Sequence, residues 1–172
     1  MKTIIINENR LFDSDIELTN NKVRAVLVDN DKLLIANYGG VYLLPGGKIE
    51  KEETHEQALI RELREETGIY YSEKDLEELF TLKYYQKDYP VKGYDIKNKL
   101  SITNFYLGNF KGIDSYNLNR SAKEIRDGFC LQLVNIDDID LLIKEIPYNN
   151  NPRKIFFDRE LEEVKKVLIK SL

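Results

Sequence analysis

The stretch that decides the fold runs from Pro45 to Ile69 and reads PGGKIEKEETHEQALIRELREETGI. It opens on a glycine turn and continues into good helix formers with no further proline. Thr54, with Gln57 three residues later, fits a capping box at a helix start. Gly68 stands where a left-handed C-terminal cap is favoured. The stretch therefore predicts a Gly-Gly turn that leads into a capped helix.

The predicted helix has two different faces. At 3.6 residues per turn, Leu59, Ile60 and Leu63 cluster on one side, which predicts contact with the core. Beside them, three glutamates fall within an arc of about 100°, namely Glu62, Glu65 and Glu66. The helix is therefore expected to present a core face and a carboxylate face.

The carboxylate face has little compensating positive charge. A charge run usually marks a solvated face, in which each acid has Lys or Arg three or four positions away. Here Glu62 meets Glu65 and Glu66 at those spacings, and only Glu65 has a cation, Arg61. Like-charge pairs of this kind destabilise a helix by about 0.3 kcal/mol each. Because a divalent cation would relieve the repulsion, the pattern predicts a Mg²⁺ or Mn²⁺ site with hard oxygen ligands.

The same stretch resembles the signature box of the Nudix hydrolases. Five residues separate Gly47 from Glu53, and seven more precede the run RELREETGI from Arg61 to Ile69, so every fixed position of the box is matched. The resemblance implies an α/β (α+β) fold with a mixed, partly barrelled β-sheet sandwiched between helices. It also implies hydrolysis of a nucleoside diphosphate linked to another moiety, in which water attacks a phosphorus and a diphosphate bond breaks.

The resemblance implies a role for each charged residue of the box. Glu65 and Glu66 would be direct metal ligands. Glu62 would be a metal ligand or the general base. Arg61 would orient Glu62 or pair with Glu53. These residues form the expected catalytic set.

Residues outside the box are expected to complete the site. Family members use the backbone carbonyl just before the first glycine of the box as a metal ligand, which here corresponds to Gly46. Many also contribute an acid from a loop before a late strand; Glu124 and Asp127 are placed for this role, and exposed loop acids are the alternative. Arg24 resembles a phosphate-contacting arginine of some members, with a plain surface charge as the alternative.

Substrate choice in this family usually depends on residues outside the box. Residues 83–99 interleave lysines with tyrosines, a mixture that suits base stacking and phosphate binding but also an ordinary strand and loop. Within that range, Tyr84 and Tyr85 fall near a position that marks dinucleoside polyphosphate hydrolases. We therefore expect Tyr84 and Tyr85 to contact substrate.

Length and charge narrow the class of protein. The 172 residues fit one domain, with residues 1–21 as an N-terminal strand or hairpin extension and residues 158–172 as a C-terminal helix. With 26 basic and 30 acidic residues and a net charge of −4, the chain is not expected to grip long nucleic acid. The expected partner is a small-molecule nucleotide or nucleotide conjugate. The sequence leaves the oligomeric state open, a homodimer included.

Cysteine use and hydropathy limit the alternatives further. Cys130 is the only cysteine, which excludes an intramolecular disulfide and a cysteine-rich zinc site. We see neither a signal-peptide pattern nor an apolar run long enough to span a membrane. A cytoplasmic protein without membrane contact is therefore expected.

The remaining chain predicts strands around the helix. Residues 23–29 and 32–38 read as strands joined by a turn at Asn30-Asp31, and Asn20-Asn21 reads as another turn. Gly39-Gly40 breaks the chain before the next strand. Further strands are predicted at 3–6, 41–44, 76–85, 99–110 and 128–136, and a short helix at 137–146 that Pro147 closes.

Together these patterns support one leading hypothesis and two alternatives. The leading hypothesis is a metal-dependent pyrophosphohydrolase that cleaves the diphosphate linkage of a nucleoside diphosphate linked to another moiety. An RNA 5′-end pyrophosphohydrolase is supported by the lysine and tyrosine stretch and opposed by the net charge. A non-catalytic nucleotide-sensing domain is opposed by the retention of every carboxylate of the box.

Overall fold

A mixed β-sheet forms the centre of the molecule. The computed structural model describes residues 2–91, 93, 95–146 and 152–171. Within these residues, one sheet contains seven strands. The strands are β1 (Lys2–Ile6), β2 (Leu18–Asp29), β3 (Lys32–Tyr38), β4 (Val41–Leu43), β5 (Leu76–Pro90), β6 (Ile96–Asn109) and β7 (Cys130–Asn135).

The strand order combines parallel and antiparallel pairs. It runs β1-β5-β6-β2-β3-β4, and β7 pairs with β3 outside this path. The β1/β5 and β2/β6 pairs are parallel, whereas the other pairs are antiparallel. The parallel β2/β6 ladder extends from Leu18 opposite Lys99 to Val28 opposite Asn109. This ladder brings residues far apart in the sequence to the same end of the sheet.

Helices cover both faces of the sheet. In the described part of the chain they are α1 (His55–Thr67), α2 (Ala122–Arg126), α3 (Ile139–Glu145) and α4 (Pro152–Ser171). Successive side chains of β2 point to opposite faces, as in any strand. Ala25 packs in one core cluster with Leu59 and Leu63 of α1, and Val26 packs in another with Leu161 and Val164 of α4. The predicted mixed sheet between helices is confirmed.

Most predicted turns and strands are present. The β2–β3 turn is at Asn30, whose φ is +55°, and Gly39 and Gly40 form the β3–β4 turn with φ of +58° and +76°. The predicted turn at Asn20-Asn21 is wrong, because both residues lie inside β2 and pair with Ser101 and Ile102 of β6. Strand pairing over this long ladder overrides the local turn preference of asparagine.

The two ends of the chain extend the sheet and its cover. β1 is an edge strand, whereas residues 18–21 of the expected N-terminal extension belong to the inner strand β2. The C-terminal helix begins at Pro152, earlier than predicted, since proline suits the first turn of a helix and Phe156 and Phe157 are buried. Pro147 lies outside the described residues. Across the described ranges, no helix is both long and apolar enough to cross a membrane.

Candidate active site

Helix α1 is fixed at both ends and along one side. The Thr54 hydroxyl accepts a hydrogen bond from the Gln57 N–H (3.2 Å), and the Gln57 side chain accepts one from the Thr54 N–H (3.0 Å). Gly68 ends the helix in the left-handed region with φ of +74°. Leu59 and Leu63 are fully buried against the sheet. This packing fixes the rotation of α1, so that Glu62 and Glu66 face the turn after β4.

The turn after β4 lies against β2 through its backbone. The Ala25 N–H donates to the Pro45 carbonyl (2.9 Å), and the Val23 N–H donates to the Gly47 carbonyl (3.0 Å). A Cβ atom at Gly46 would lie 2.4 Å from the Val23 carbonyl oxygen, and φ at Gly46 is +121°. A Cβ atom at Gly47 would lie 2.2 Å from Glu62 Oε1. Position 46 therefore requires glycine because of the backbone, whereas glycine at position 47 leaves room for the Glu62 carboxylate.

Glu66 is the most deeply buried carboxylate of the box. It is only 4% exposed, and its Oε2 accepts a hydrogen bond from the Gly46 N–H at 2.9 Å. Burial, reinforced by the negative charge of Glu62, raises the pKa of Glu66 to about 8. Among the described residues no Lys or Arg forms an ion pair with Glu66. An added cation would stabilise its ionised form.

Arg61 connects the two acids that the sequence proposed as its partners. Its Nε lies 2.7 Å from Glu53 Oε1 and its Nη2 3.0 Å from Glu53 Oε2, which is a bidentate ion pair. Its Nη1 donates to Glu62 Oε1 at 2.9 Å, and its Nη2 donates to the Lys48 carbonyl at 3.1 Å. Hydrogen bonding to Arg61 lowers the pKa of Glu53. Arg61 therefore contacts both Glu53 and Glu62 rather than only one of them.

Glu62 and Glu65 differ in their surroundings. Burial raises the pKa of Glu62, while the hydrogen bond from Arg61 acts in the opposite direction. Burial also raises the pKa of Glu65, and the charge of Glu62 adds to this. Glu65 lies 3.7 Å from Arg61 and lines a separate open groove with Tyr70 and Asn119. Glu62 thus faces the turn with Glu66, whereas Glu65 faces outward in this side-chain arrangement.

A cleft of about 390 Å³ brings most of the predicted site together, and we call it the carboxylate cleft. Its lining includes Gly46, Gly47, Glu62, Glu66 and Glu124. Glu124 lies on α2 rather than in a loop, and its Oε2 accepts a hydrogen bond from the Ser121 N–H at 2.6 Å.

Asp127, the other acid considered before β7, does not line the carboxylate cleft. Its carboxylate lies 3.2 Å from the side chain of Arg126. Of the two acids before β7, the structure thus brings Glu124 to the site.

Arg24 lies beneath the glycine turn. Its side chain is 3% exposed, which excludes the alternative of a plain surface charge. Its Nη1 donates to the Leu44 carbonyl at 3.0 Å and also to the Gly46 carbonyl. Its Nε lies 3.4 Å from Oε2 of the fully buried Glu160. The Gly46 carbonyl, predicted as a metal ligand, thus already accepts one hydrogen bond and retains a second lone pair.

Glu160 was not among the residues predicted from the sequence. It lies on α4, and its Oε1 accepts a hydrogen bond from the Thr103 hydroxyl at 2.8 Å. A sequence signal existed, because Glu160 falls at helical spacing between Phe157 and Val164, two residues of the apolar stripe of α4. An acid in such a stripe marks a buried, paired carboxylate.

Tyr84 and Tyr85 do not line the carboxylate cleft. The Tyr84 ring is buried and stacks on Phe156 with 5.9 Å between ring centroids. The Tyr85 hydroxyl donates to Asp13 Oδ1 at 2.7 Å. Both tyrosines line a separate groove of about 400 Å³ along β5. A substrate held in the carboxylate cleft would have to extend beyond it to reach them.

The residues of the carboxylate cleft fit a divalent cation by ligand type and by charge. Three carboxylates and the Gly46-Gly47 turn line the same space, and no described Lys or Arg forms an ion pair with the buried Glu66. No group of three or more His, Cys, Asp or Glu side chains, among those that the structure describes, is arranged to hold a metal ion. Glu62 is instead hydrogen-bonded to Arg61 and Glu124 to Ser121.

Comparison with known proteins shows which protein family the sequence resembles. A family model described as NUDIX domain matches residues 18–157. An 8-oxo-dGTP diphosphatase of Proteus vulgaris is 58% identical over 36 residues, which are 21% of this chain and 32% of that protein. A CTP pyrophosphohydrolase of Escherichia coli is 42% identical over 53 residues, 27% of this chain and 39% of that protein. These matches span only about a third of the relatives' length.

A solved structure shows the same fold. The crystal structure of a MutT NUDIX hydrolase from Burkholderia pseudomallei aligns with a TM-score of 0.51 and 21% identity. The alignment covers 70% of this chain and 86% of that one. At this identity the likeness concerns the fold alone.

Proposed function

Because this chain belongs to the Nudix family, we propose that it is a metal-dependent pyrophosphohydrolase acting on a nucleoside diphosphate linked to another moiety. The observation that carries the proposal is the position of Glu62 and Glu66, which face the Gly46-Gly47 turn in one cleft. A sensing domain would not need to retain these buried acids. Glu66 forms no ion pair with a described Lys or Arg, so burying its ionised carboxylate is costly unless a bound cation compensates the charge.

We propose that Glu62, Glu66 and the Gly46 carbonyl hold Mg²⁺ or Mn²⁺, with Glu65 and Glu124 as the further acidic ligands. When bound, the ion neutralises diphosphate oxygens and lowers the pKa of water. Ionised carboxylates are the form that binds it, so the raised pKa of Glu66 falls once the site is loaded. Arg61 supports this site by holding Glu62, and Gly47 leaves room for the Glu62 carboxylate.

Opposite the carboxylates of α1, the proposed site is bounded by the backbone of the glycine turn, which side chains hold in place. Arg24 is anchored by Glu160 and binds the carbonyls of Leu44 and Gly46, so it acts as a positioning residue for the glycine turn. This turn faces Glu66 through its N–H. The backbone of the glycine turn is therefore already in position before a diphosphate binds in the cleft. Such preorganisation lowers the reorganisation needed in the transition state.

The proposal is tested by turnover assays with metal control. A panel of nucleoside triphosphates, nucleotide sugars and dinucleotides is incubated with Mg²⁺ or Mn²⁺; 8-oxo-dGTP and CTP are included because similar proteins carry those names. Glu66→Gln and Glu62→Gln should lower kcat by at least about 10²-fold, since each removes negative charge at the reacting centre. EDTA should abolish turnover.

Two results would overturn the proposal. One is a folded wild-type protein that turns over no member of the panel with either ion. The other is full activity in both glutamine variants. Far-UV circular dichroism and Tm show whether each variant is folded. The cytoplasmic location and a homodimer stay predictions from the sequence.

A further inference from the structure

A second pocket, of about 300 Å³, adjoins the carboxylate cleft. The two cavities share four lining residues, namely Lys22, Lys48, Arg153 and Phe157. The second pocket lies between β2, β6 and α4. We call it the lysine pocket, and its lining residues are Asn20, Lys22, Lys48, Tyr89, Lys99, Lys123, Arg153, Phe156 and Phe157.

The lysine pocket is strongly positive. Four lysines and one arginine line it, and no acid does so among the described residues. No described carboxylate forms an ion pair with the ammonium groups of the four lysines. A cavity with this lining attracts anions.

The ammonium groups of two of these lysines lie against aromatic rings. Lys99 is 6% exposed, and its Nζ lies 3.7 Å from the centroid of the Tyr89 ring. The Nζ of Lys22 lies 4.4 Å from the Phe156 ring and 5.2 Å from the Phe157 ring. Aromatic faces stabilise an ammonium group only in part. No described carboxylate pairs with either ammonium group. Because burying a charge without an ion-pair partner is costly, a bound anion would stabilise the charged form of both lysines.

The cations that line the lysine pocket lower one another's pKa. Burial, together with the charges of Arg24, Lys99 and Arg153, lowers the pKa of Lys22 to about 7. Glu160 acts in the opposite direction, but this acid already contacts Arg24 and Thr103. Burial lowers the pKa of Lys99 to about 8, with contributions from Lys48 and Arg153. A bound anion would reverse these shifts.

We propose that the lysine pocket binds phosphate groups of the substrate that extend beyond the diphosphate in the carboxylate cleft. This inference rests on the proposed function. The acids that would hold metal and the cations that would hold phosphate line adjoining spaces, so one extended polyphosphate can occupy both. The favoured substrate class is then a free nucleotide with three or more consecutive phosphates, rather than one with a diphosphate alone.

The binding test needs no catalysis. Inorganic tripolyphosphate is titrated into the protein by calorimetry in EDTA at pH 7. Wild type should bind it, and Lys99→Met and Lys123→Met should each weaken binding at least tenfold, because each removes a charge from the pocket but not from the carboxylate cleft. The matched control is Lys32→Met, an exposed lysine of β3 outside the pocket, which should change Kd by less than twofold.

The kinetic test measures selectivity. With Mg²⁺ or Mn²⁺, the ratio of kcat/KM for a nucleoside triphosphate to that for a nucleoside diphosphate sugar should fall at least tenfold in Lys99→Met and Lys123→Met. The proposal that the lysine pocket binds substrate phosphates would be overturned by either of two results. One is an unchanged kcat/KM ratio in both variants, and the other is tripolyphosphate binding that neither variant weakens. Preferred cleavage of a 5′-triphosphorylated oligoribonucleotide over the free nucleotide would overturn the assignment to free nucleotides.

The tests separate the two proposals. Tripolyphosphate binding that depends on Lys99, in a protein that hydrolyses no nucleotide, would leave the lysine pocket intact and refute the proposed enzyme. Hydrolysis that depends on Glu66 but not on Lys99 or Lys123 would support the proposed enzyme and refute the lysine pocket as a phosphate site.

Discussion

The Glu66 carboxylate on α1 and the Gly46 N–H of the turn after β4 form a 2.9 Å hydrogen bond across the floor of the carboxylate cleft. Through its carbonyl, the same glycine accepts a hydrogen bond from Arg24. Gly46 is therefore held from two sides, by a residue of the box and by a residue of the sheet.

Glu66→Gln should stabilise the protein when no divalent cation is present. The pKa of Glu66 is about 8 in the folded state, above its ordinary value of 4.5, so the folded state binds more protons between these values. Wild-type stability in EDTA should therefore fall as pH rises from about 5 to 8, whereas the variant should lack this decline. At pH 8 the variant should be more stable by about 2 kcal/mol in urea unfolding.

The control for Glu66 is the added metal ion. Mg²⁺ at pH 8 should raise the Tm of wild type and leave that of Glu66→Gln nearly unchanged. A wild-type stability that is independent of pH between 5 and 8 in EDTA would contradict the burial argument.

Gly46→Ala should mainly lower stability, whereas Gly47→Ala should mainly lower kcat. The new Cβ atom at position 46 meets the Val23 carbonyl at 2.4 Å and requires φ of +121°, so it should destabilise the fold by about 2–3 kcal/mol. At position 47 the new Cβ atom meets only the end of the Glu62 side chain, which can rotate away. Gly47→Ala should therefore lose less than about 1 kcal/mol of stability but at least about tenfold in kcat. Equal effects of both variants on stability and on kcat would refute this distinction.

Glu160→Gln should weaken the whole fold. It removes the charge opposite Arg24, whose side chain is almost completely buried, and an uncompensated buried charge costs about 3 kcal/mol. Urea unfolding measures the loss. Glu163→Gln is the matched control on the same helix, because Glu163 pairs with the exposed Lys166, and it should cost less than about 0.5 kcal/mol. Loss of the same stability in both variants would show that Arg24 does not depend on Glu160.

Lys99→Met should stabilise the fold while reducing phosphate binding. Burial lowers the folded pKa of Lys99 to about 8 from 10.5, so the unfolded chain binds more protons between these values. The penalty is therefore fully present below pH 8 and disappears as pH rises towards 10.5. At pH 7 the variant should be more stable by about 2 kcal/mol, and the difference from wild type should shrink at pH 10. A variant less stable than wild type at pH 7 would refute the claim that Lys99 is buried at a cost.

The core of the site could be predicted because its acids lie on one short helix. The 3.6-residue period alone places Glu62 and Glu66 one turn apart on the same side, and the caps at Thr54 and Gly68 define where that helix begins and ends. The glycine turn precedes the helix directly. Local spacing therefore determines the relation between these groups, whatever the rest of the chain does.

The lysine pocket could not be predicted in the same way. Lys22, Lys99 and Arg153 belong to β2, β6 and α4, and they meet only because β2 and β6 pair in parallel and α4 packs near their ends. The pairing register of β2 and β6 cannot be read from any short stretch of the sequence. Asn20 illustrates the same limit, since its turn preference is overridden by pairing with Ser101.

The ion pair of Arg24 and Glu160 bears on where the chain can be shortened. A protein cut just before Glu160 would retain every residue of the box and each strand of the sheet, yet Arg24 would lose its buried counter-charge. The smallest unit that folds with an intact glycine turn therefore includes the middle of the C-terminal helix. Expression of a catalytic fragment should be designed around that helix rather than around the signature box.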